Sequence, residues 1–280
     1  GLAARPAHAA EQAAAAGASP VLDRIASIFP ESVASALGLS PPPPPRSQHP
    51  SPLPLPRGLA TRPAPGRRPP LSRVFALARE RPLVLDGGLG TWLESLGRDV
   101  SGQLWAARLL HEAPDALRLA HADFVAAGAD VVMTATSQCS REALVALLDI
   151  DDEAAARLVA RSVTLARDGT RAALRRLSQG SGGLCGGGGG GGGRLPHGLV
   201  AAAIGPYGAS VEGESEYSGR YGRRLGAPAL AAWHAWRVDV LLSAGADVLA
   251  FETVPCVTEV VALCTLLQSR PAARAWLSLA

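Results

Sequence analysis

Residues Arg81–Glu94 read RPLVLDGGLGTWLE, in the order of a strand that runs into a ligand-binding turn. Pro82 suits the first residue of a strand. Leu83, Val84 and Leu85 form a short, continuously apolar run, which predicts a strand covered on both faces, as in a parallel sheet. Asp86 stands where that strand should end. Gly87, Gly88 and Gly90 follow, and they let the backbone turn sharply and approach a ligand with no Cβ in the way. A carboxylate at the carboxyl end of a buried parallel strand, followed by glycines, is where α/β folds place ligands. The plainer alternative is a tight βα turn in which Asp86 caps the next segment. A dinucleotide fingerprint fits less well. Gly88-x-Gly90 lacks its third glycine, because Leu93 stands there, and the second strand ends in Thr and Ser rather than the acid that would hold a ribose.

The same strand-then-helix rhythm continues on either side. Ser72–Arg79 predicts a short helix leading into the first strand. Pro114–Ala127 predicts a helix with Leu117, His121, Phe124 and Val125 on one face and Gly128 at its end. Asp130–Ser137 (DVVMTATS) is a second buried strand. Asp151–Leu177 is a long helix with acids in its first turn and Arg in its last, as the macrodipole favours. Gly198–Gly205 is a third strand, Pro228–Ala244 a helix, Asp247–Thr253 (DVLAFET) a fourth strand, Val257–Gln268 a helix, and Arg274–Ala280 the start of a fifth strand. Ala-Gly-Ala-Asp precedes a strand twice, at Ala127–Asp130 and Ala244–Asp247. This βα repeat suits a (β/α)8 TIM barrel, which usually needs about 250 residues. About five of the eight βα units are present, counted from Leu83, so the barrel is expected to be incomplete.

Residues 1–72 differ in character. They are rich in Ala, Pro and Arg, with a polyproline run at Pro41–Pro45. Such a segment buries too little apolar surface to offset its ordering entropy, so it is expected to be a disordered leader preceding a barrel domain over residues 73–280. Val21, Leu22, Ile25, Ile28 and Phe29 fall on one helical face, which with the scarcity of acids also suits an organellar transit segment. Residues 1–80 hold 9 Arg and 4 acids, so the net charge of +3 belongs to the leader and the body is slightly acidic. That excludes a nucleic-acid footprint on the body, and no apolar run is long enough to span a bilayer. Every basic residue is Arg, a compositional bias that weakens any single Arg as a recognition signal. Cys139, Cys185, Cys256 and Cys264 show no disulfide framework and no CxxC, which fits a reducing compartment, cytoplasmic or, with a transit segment, organellar. The tract SQGSGGLCGGGGGGGGRLPHG lacks the Gly-Lys-Ser/Thr of a phosphate loop and reads as a flexible αβ insertion. The chain starts at Gly1 and stops at Ala280 inside an apolar run, and it reads as cut at one end or both.

In a barrel the site is built at strand carboxyl ends. Those ends hold Asp86 with Gly87, Thr134–Cys139, Gly205–Gly208, and Glu252 with Thr253. Asp86 and Glu252 would face one mouth, as an acid–base pair or as carboxylates for a substrate ammonium. The loop Gly205–Gly222 is long and glycine-rich and carries Tyr207, Tyr217 and Tyr221. Loops of this kind act as lids or supply part of a binding site.

The stretches LDGGLGTWLE, LWAARLL with Trp105, HADFVAAGADVVMTATSQCS, AAIGPYGAS…GESEYSGRYG and AGADVLAFETVP resemble, in order, the homocysteine S-methyltransferase family, in the branch that uses S-methylmethionine or S-adenosylmethionine. The resemblance covers about Pro82 to Ala280. It implies a (β/α)8 barrel with a catalytic zinc, and a homocysteine thiolate that attacks a sulfonium methyl group to form methionine. A zinc ion holds a thiol deprotonated at neutral pH. By this resemblance Asp86 and Glu252 hold the homocysteine ammonium, Gly87 gives a backbone contact, and Thr134 lies at the matching second-strand end. Trp105, Tyr207 and Tyr217 are the candidate donor pocket. Ser137 departs from the Tyr that the family usually has before Gln138. The family's zinc cysteines follow the sixth and eighth strands and are expected beyond Ala280. No metal ligand or catalytic residue is therefore assigned within the chain, and Cys139 and Cys256 are only weak substitutes. Two other readings stay open. One is an inactive truncated barrel that binds or is vestigial. The other is a metal-independent lyase or isomerase working through Asp86 and Glu252.

Overall fold

The computed structural model describes residues 71–102, 104–180, 196–211 and 215–280. Nearly all of the expected leader, and most of the glycine-rich insertion with Cys185, lie outside the described residues.

The chain forms a parallel sheet with helices between its strands. Helix α1 (Leu71–Glu80) precedes α2 (Leu89–Ser95), a 3-10 turn (Trp105–Arg108), α3 (Leu109–Glu112) and α4 (Pro114–Ala126). Strand β1 (Val131–Met133) is followed by α5 (Arg141–Leu148) and α6 (Asp152–Gly180). Strand β2 (Leu199–Ile204) is followed by α7 (Tyr207–Ser210) and α8 (Tyr221–Ser243). Strand β3 (Val248–Val254), helix α9 (Val257–Gln268) and strand β4 (Ala275–Leu279) complete the order. The strands lie β1-β2-β3-β4, all parallel. The alternating strand–helix pattern is therefore realised, because parallel neighbours need a crossover between them.

Side-chain parity divides the sheet into two faces. Val132, Val200, Ala202, Leu249 and Phe251 pack under the helices in the main core. Val131, Leu199, Ala201, Val248 and Ala250 point to the other face, where α1 covers them through Val74 and Leu77. Strand β2 is buried along its whole length, as its central place in the sheet requires.

The repeated Ala-Gly-Ala-Asp has a structural cause. Each repeat ends a helix and delivers a buried aspartate to the amino end of the next strand. Asp130 accepts from Val84 N at 3.1 Å and His197 N at 3.1 Å, and pairs with Arg81 at 2.6 Å. Asp247 accepts from Val200 N at 2.8 Å and pairs with Arg167 at 3.1 Å. Both carboxylates thus satisfy backbone N–H groups at the sheet edge away from the strand carboxyl ends.

Several boundaries differ from expectation. Leu83–Leu85 is not a strand covered on both faces. It makes a single parallel bridge, Leu85 to Val131, and Val84 and Leu85 are 54% and 45% exposed. The segment is an edge, with a partner on one side only among the described residues. Strand β1 stops at Met133 rather than running to Ser137, because the chain turns there, Thr136 N donating to Thr134 O and Cys139 N to Thr136 O. Helix α6 runs on to Gly180, so no Arg occupies its last turn. Gly226, at φ 75°, breaks α8 just before Pro228, which opens its regular part.

Candidate active site

The strand carboxyl ends converge on one rim of the sheet. Asp86 does not cap α2, whose first residue is preceded by Gly88 without a side-chain cap. Its backbone N–H joins Val131 O at 2.9 Å, and its Oδ2 accepts from Met133 N at 2.8 Å. Its Oδ1 is buried and has no hydrogen-bond partner among the described residues. Burial raises the Asp86 carboxyl to about 7, and the hydrogen bond from Met133 N only partly offsets this. A half-buried carboxylate with one oxygen unpaired among the described residues is suited to accept from a donor or a cation. Gly87 is small for a steric reason: a Cβ there would lie 3.1 Å from the Phe124 ring.

Glu252 sits on the α1-facing side of β3, two residues beyond Ala250. Trp276 Nε1 donates to its Oε1, and Ser278 Oγ donates to its Oε2 at 2.6 Å. Ser278 Oγ also accepts from Thr253 N at 3.2 Å. Thr253 has φ 60°, a left-handed conformation that a β-branched residue rarely adopts. Strain of this kind persists where surrounding contacts fix it, and it gathers at functional sites. Trp276 and Ser278 were not among the expected site residues. Their alternation on the expected strand 274–280 was the available signal, since a period of two puts them on one face.

Thr134 is buried, and its hydroxyl is engaged. Thr136 Oγ1 donates to Ala203 O at 2.7 Å, so in the 2.6 Å contact between the two threonines Thr134 is the donor. Thr134 Oγ1 also accepts from Ala203 N at 3.0 Å, which extends the β1–β2 ladder by side chains. One lone pair remains for a ligand.

The three aromatic candidates are not gathered into one cluster. Trp105, 52% exposed, has φ 48° and packs over Gly90. Tyr217 is 69% exposed. Tyr207 lies against the rings of Tyr221 and Trp233, at 5.1 and 5.0 Å between centroids. Among the described residues neither Trp105 nor Tyr217 joins that stack.

The sequence profile of the homocysteine S-methyltransferase family matches residues 83–280. The chain belongs to this family. It is 37% identical over 196 residues to homocysteine S-methyltransferase YbgG of Bacillus subtilis, covering 70% of this chain and 58% of that protein. It is 39% identical over 196 residues to the Escherichia coli homocysteine S-methyltransferase, covering 70% and 57%. The chain thus spans a little over half the length of these relatives. Among solved structures it resembles the metallated form of the Escherichia coli homocysteine methyltransferase MmuM, with TM-score 0.62 and 38% identity over 75% of this chain and 66% of that one.

The zinc implied by homocysteine S-methyltransferases does not fit the donors present. Among the described residues no three His, Cys, Asp or Glu side chains come together as a metal site. Cys139 is buried in the helix-side core, with its thiol pushed up to about 12 by burial. Its Sγ donates to Ala135 O at 3.9 Å. Burial also raises Cys256, and it raises Cys264 to about 11. A catalytic zinc site needs about three protein ligands, and no such group comes together around these cysteines among the described residues.

Proposed function

We propose that this chain carries the amino-acid-binding part of a (β/α)8-barrel homocysteine S-methyltransferase. The observation that carries this is the buried Oδ1 of Asp86, which lies just past the Leu85 bridge to β1 and has no partner among the described residues. The homocysteine ammonium donates to Asp86 Oδ1 and to Glu252, whose carboxylate is kept in one orientation by Trp276 and Ser278. An ammonium ion supplies the charge that the desolvated Asp86 lacks, so the bound ligand favours the ionised carboxylate. The backbone at Gly87 and the free lone pair of Thr134 complete the amino-acid contacts. In the reaction the homocysteine thiol gives up its proton to solvent, and the thiolate sulfur donates an electron pair to the methyl carbon of a sulfonium donor. The carbon–sulfur bond of the donor breaks, its electron pair stays on the donor sulfur, and a neutral thioether leaves beside methionine. S-methylmethionine and S-adenosylmethionine both fit this chemistry, and Tyr207, Tyr217 and Trp105 are the candidate contacts for the donor. The described residues bind and orient the amino acid, and no step is assigned to a metal they do not hold.

A second reading rests on the same carboxyl. A group near 7 is suited to proton exchange at neutral pH, as in a metal-independent lyase or isomerase. Titration calorimetry with homocysteine separates the two. The Asp86→Asn and Glu252→Gln chains should each lose about 1.5–3 kcal/mol of homocysteine affinity and leave S-methylmethionine affinity unchanged. Unchanged homocysteine affinity in both variants would remove the ammonium assignment.

A further inference from the structure

A second polar cluster lies behind the strand ends, apart from Asp86 and Glu252. Tyr221, His234, Arg237 and Glu259 are each at most 2% exposed. Arg237 Nη1 donates to Ser137 O at 2.9 Å and Cys139 O at 2.6 Å, and its Nη2 donates to Gly205 O at 2.8 Å and His234 Nδ1 at 3.2 Å. Glu259 Oε1 accepts from Tyr207 N at 2.7 Å, and its Oε2 accepts from Tyr221 OH at 2.6 Å. His234 Nε2 lies 2.8 Å from Glu259 Oε1.

The protons of this chain can be assigned. A guanidinium only donates, so His234 Nδ1 is the acceptor and the ring proton is on Nε2, donated to Glu259. Burial lowers His234 to about 4, which agrees with a neutral ring. Burial opposes the Glu259 charge, but the hydrogen bonds from His234, Tyr221 and Tyr207 N outweigh it and hold the carboxyl below its ordinary value. A cation and an anion are therefore buried with a neutral imidazole between them.

Such an arrangement is a poor way to gain stability, because desolvation offsets most of the attraction. Its reach is more informative. Arg237 grips the loop after β1 at Ser137 and Cys139 and the end of β2 at Gly205, while Glu259 grips the next loop at Tyr207. The two loops also touch directly: Gly205 N donates to Ser137 O at 3.1 Å, and a Cβ on Gly205 would lie 2.7 Å from that oxygen. Arg237 further lies 5.1 Å over the Trp233 ring, which packs on Tyr207. Among the described residues no hydrogen bond of this cluster reaches Asp86, Glu252, Trp276 or Ser278, and its nearest approach to the homocysteine side is a long bond from Arg237 Nη1 to Thr136 O at 3.5 Å, Thr136 in turn touching Thr134.

We infer that Arg237, His234 and Glu259 are positioning residues for the methyl-donor side of the site, acting through the loops that carry Ser137, Gln138 and Tyr207, and that they act on the homocysteine side more weakly. The inference rests on the methyltransferase reading above. Its signature is a split between two ligands, which a general loss of structure would not produce.

The test is calorimetric titration of the 280-residue chain with S-methylmethionine and, separately, with homocysteine. Arg237→Lys keeps the charge but cannot reach three carbonyls and an imidazole together, and it should weaken S-methylmethionine binding by about tenfold or more. Tyr221→Phe removes one hydrogen bond from Glu259 without changing shape, and it should weaken the donor by a few fold. Glu259→Gln keeps acceptors for Tyr207 N and His234, and it should fall between these two. Homocysteine affinity should fall by less than donor affinity in every variant. Should Arg237→Lys not fold, as judged by circular dichroism, Tyr221→Phe and Glu259→Gln carry the comparison. Equal losses for both ligands, or no loss for either, in folded variants of a wild-type chain that binds both would overturn the positioning role alone. A wild-type chain that binds neither ligand would overturn the methyltransferase reading and this inference with it.

Discussion

At the scale of single residues, Asp86 makes the sharpest statement about pH. Its carboxyl is raised by burial to about 7, above its ordinary value of 3.8. Between those values the unfolded chain loses a proton that the folded chain keeps. This group therefore favours folding at low pH, and its contribution is lost as pH rises through about 7. A bound ammonium reverses the preference for the neutral form. The affinity of an amino acid without a thiol, such as norleucine, should rise as pH passes through about 7 and then level off. In Asp86→Asn that rise should vanish, and a flat profile in the wild-type chain would refute the role. Trp276 gives a second prediction. Trp276→Phe keeps the ring packing and removes one donor from Glu252, so homocysteine affinity should fall by about 1 kcal/mol, read by calorimetry.

At the scale of elements, the aspartates that open the strands matter more than the ion pairs on the helix surfaces. Asp247 is 4% exposed and satisfies Val200 N as well as Arg167. Asp247→Ala leaves the buried Val200 N–H without its acceptor and leaves Arg167, which keeps the Gly245 carbonyl, without its counter-charge, and urea denaturation should show a loss of about 3 kcal/mol. The Glu153–Arg157 pair spans one turn of α6 at 2.7 Å, but both side chains are 57% exposed. Glu153→Ala should change stability by about 0.5 kcal/mol or less. The Ala-Gly-Ala-Asp repeat marked these aspartates in the sequence. Their partners were not visible there, because Val200 and Arg167 reach Asp247 only once the sheet and α6 have packed.

At the scale of the molecule, the sheet presents two open margins among the described residues. Val84 and Leu85 are half exposed along one edge, and Leu279 is 68% exposed on the other. An unpaired edge with apolar side chains is a template for association. Light scattering of the 280-residue chain should show concentration-dependent self-association, and a monomer at high concentration would count against exposed edges. The cysteines make the other prediction at this scale. With no three His, Cys, Asp or Glu side chains gathered as a metal site among the described residues, metal analysis of the purified chain should find well below one zinc per chain. One tightly held zinc, lost in Cys139→Ala or Cys256→Ala, would make those residues ligands after all.

The sequence by itself determined the alternation of strands and helices, the carboxylates Asp86 and Glu252 at strand ends, and the family. These are local matters of period, of glycine and proline placement, and of ordered motifs. Only the tertiary structure decided how those carboxylates are held. Trp276 and Ser278 meet Glu252 because β4 lies beside β3, and Met133 N meets Asp86 because the first segment pairs with β1. The strand expected over Leu83–Leu85 shrank to one bridge, since exposure at an edge depends on neighbours that lie far away in sequence. The cluster of His234, Arg237 and Glu259 gave no sequence signal at all. Its members are spread over two helices, and a buried charge is recognisable only when the carbonyls, hydroxyls and amides that satisfy it have been brought around it by folding.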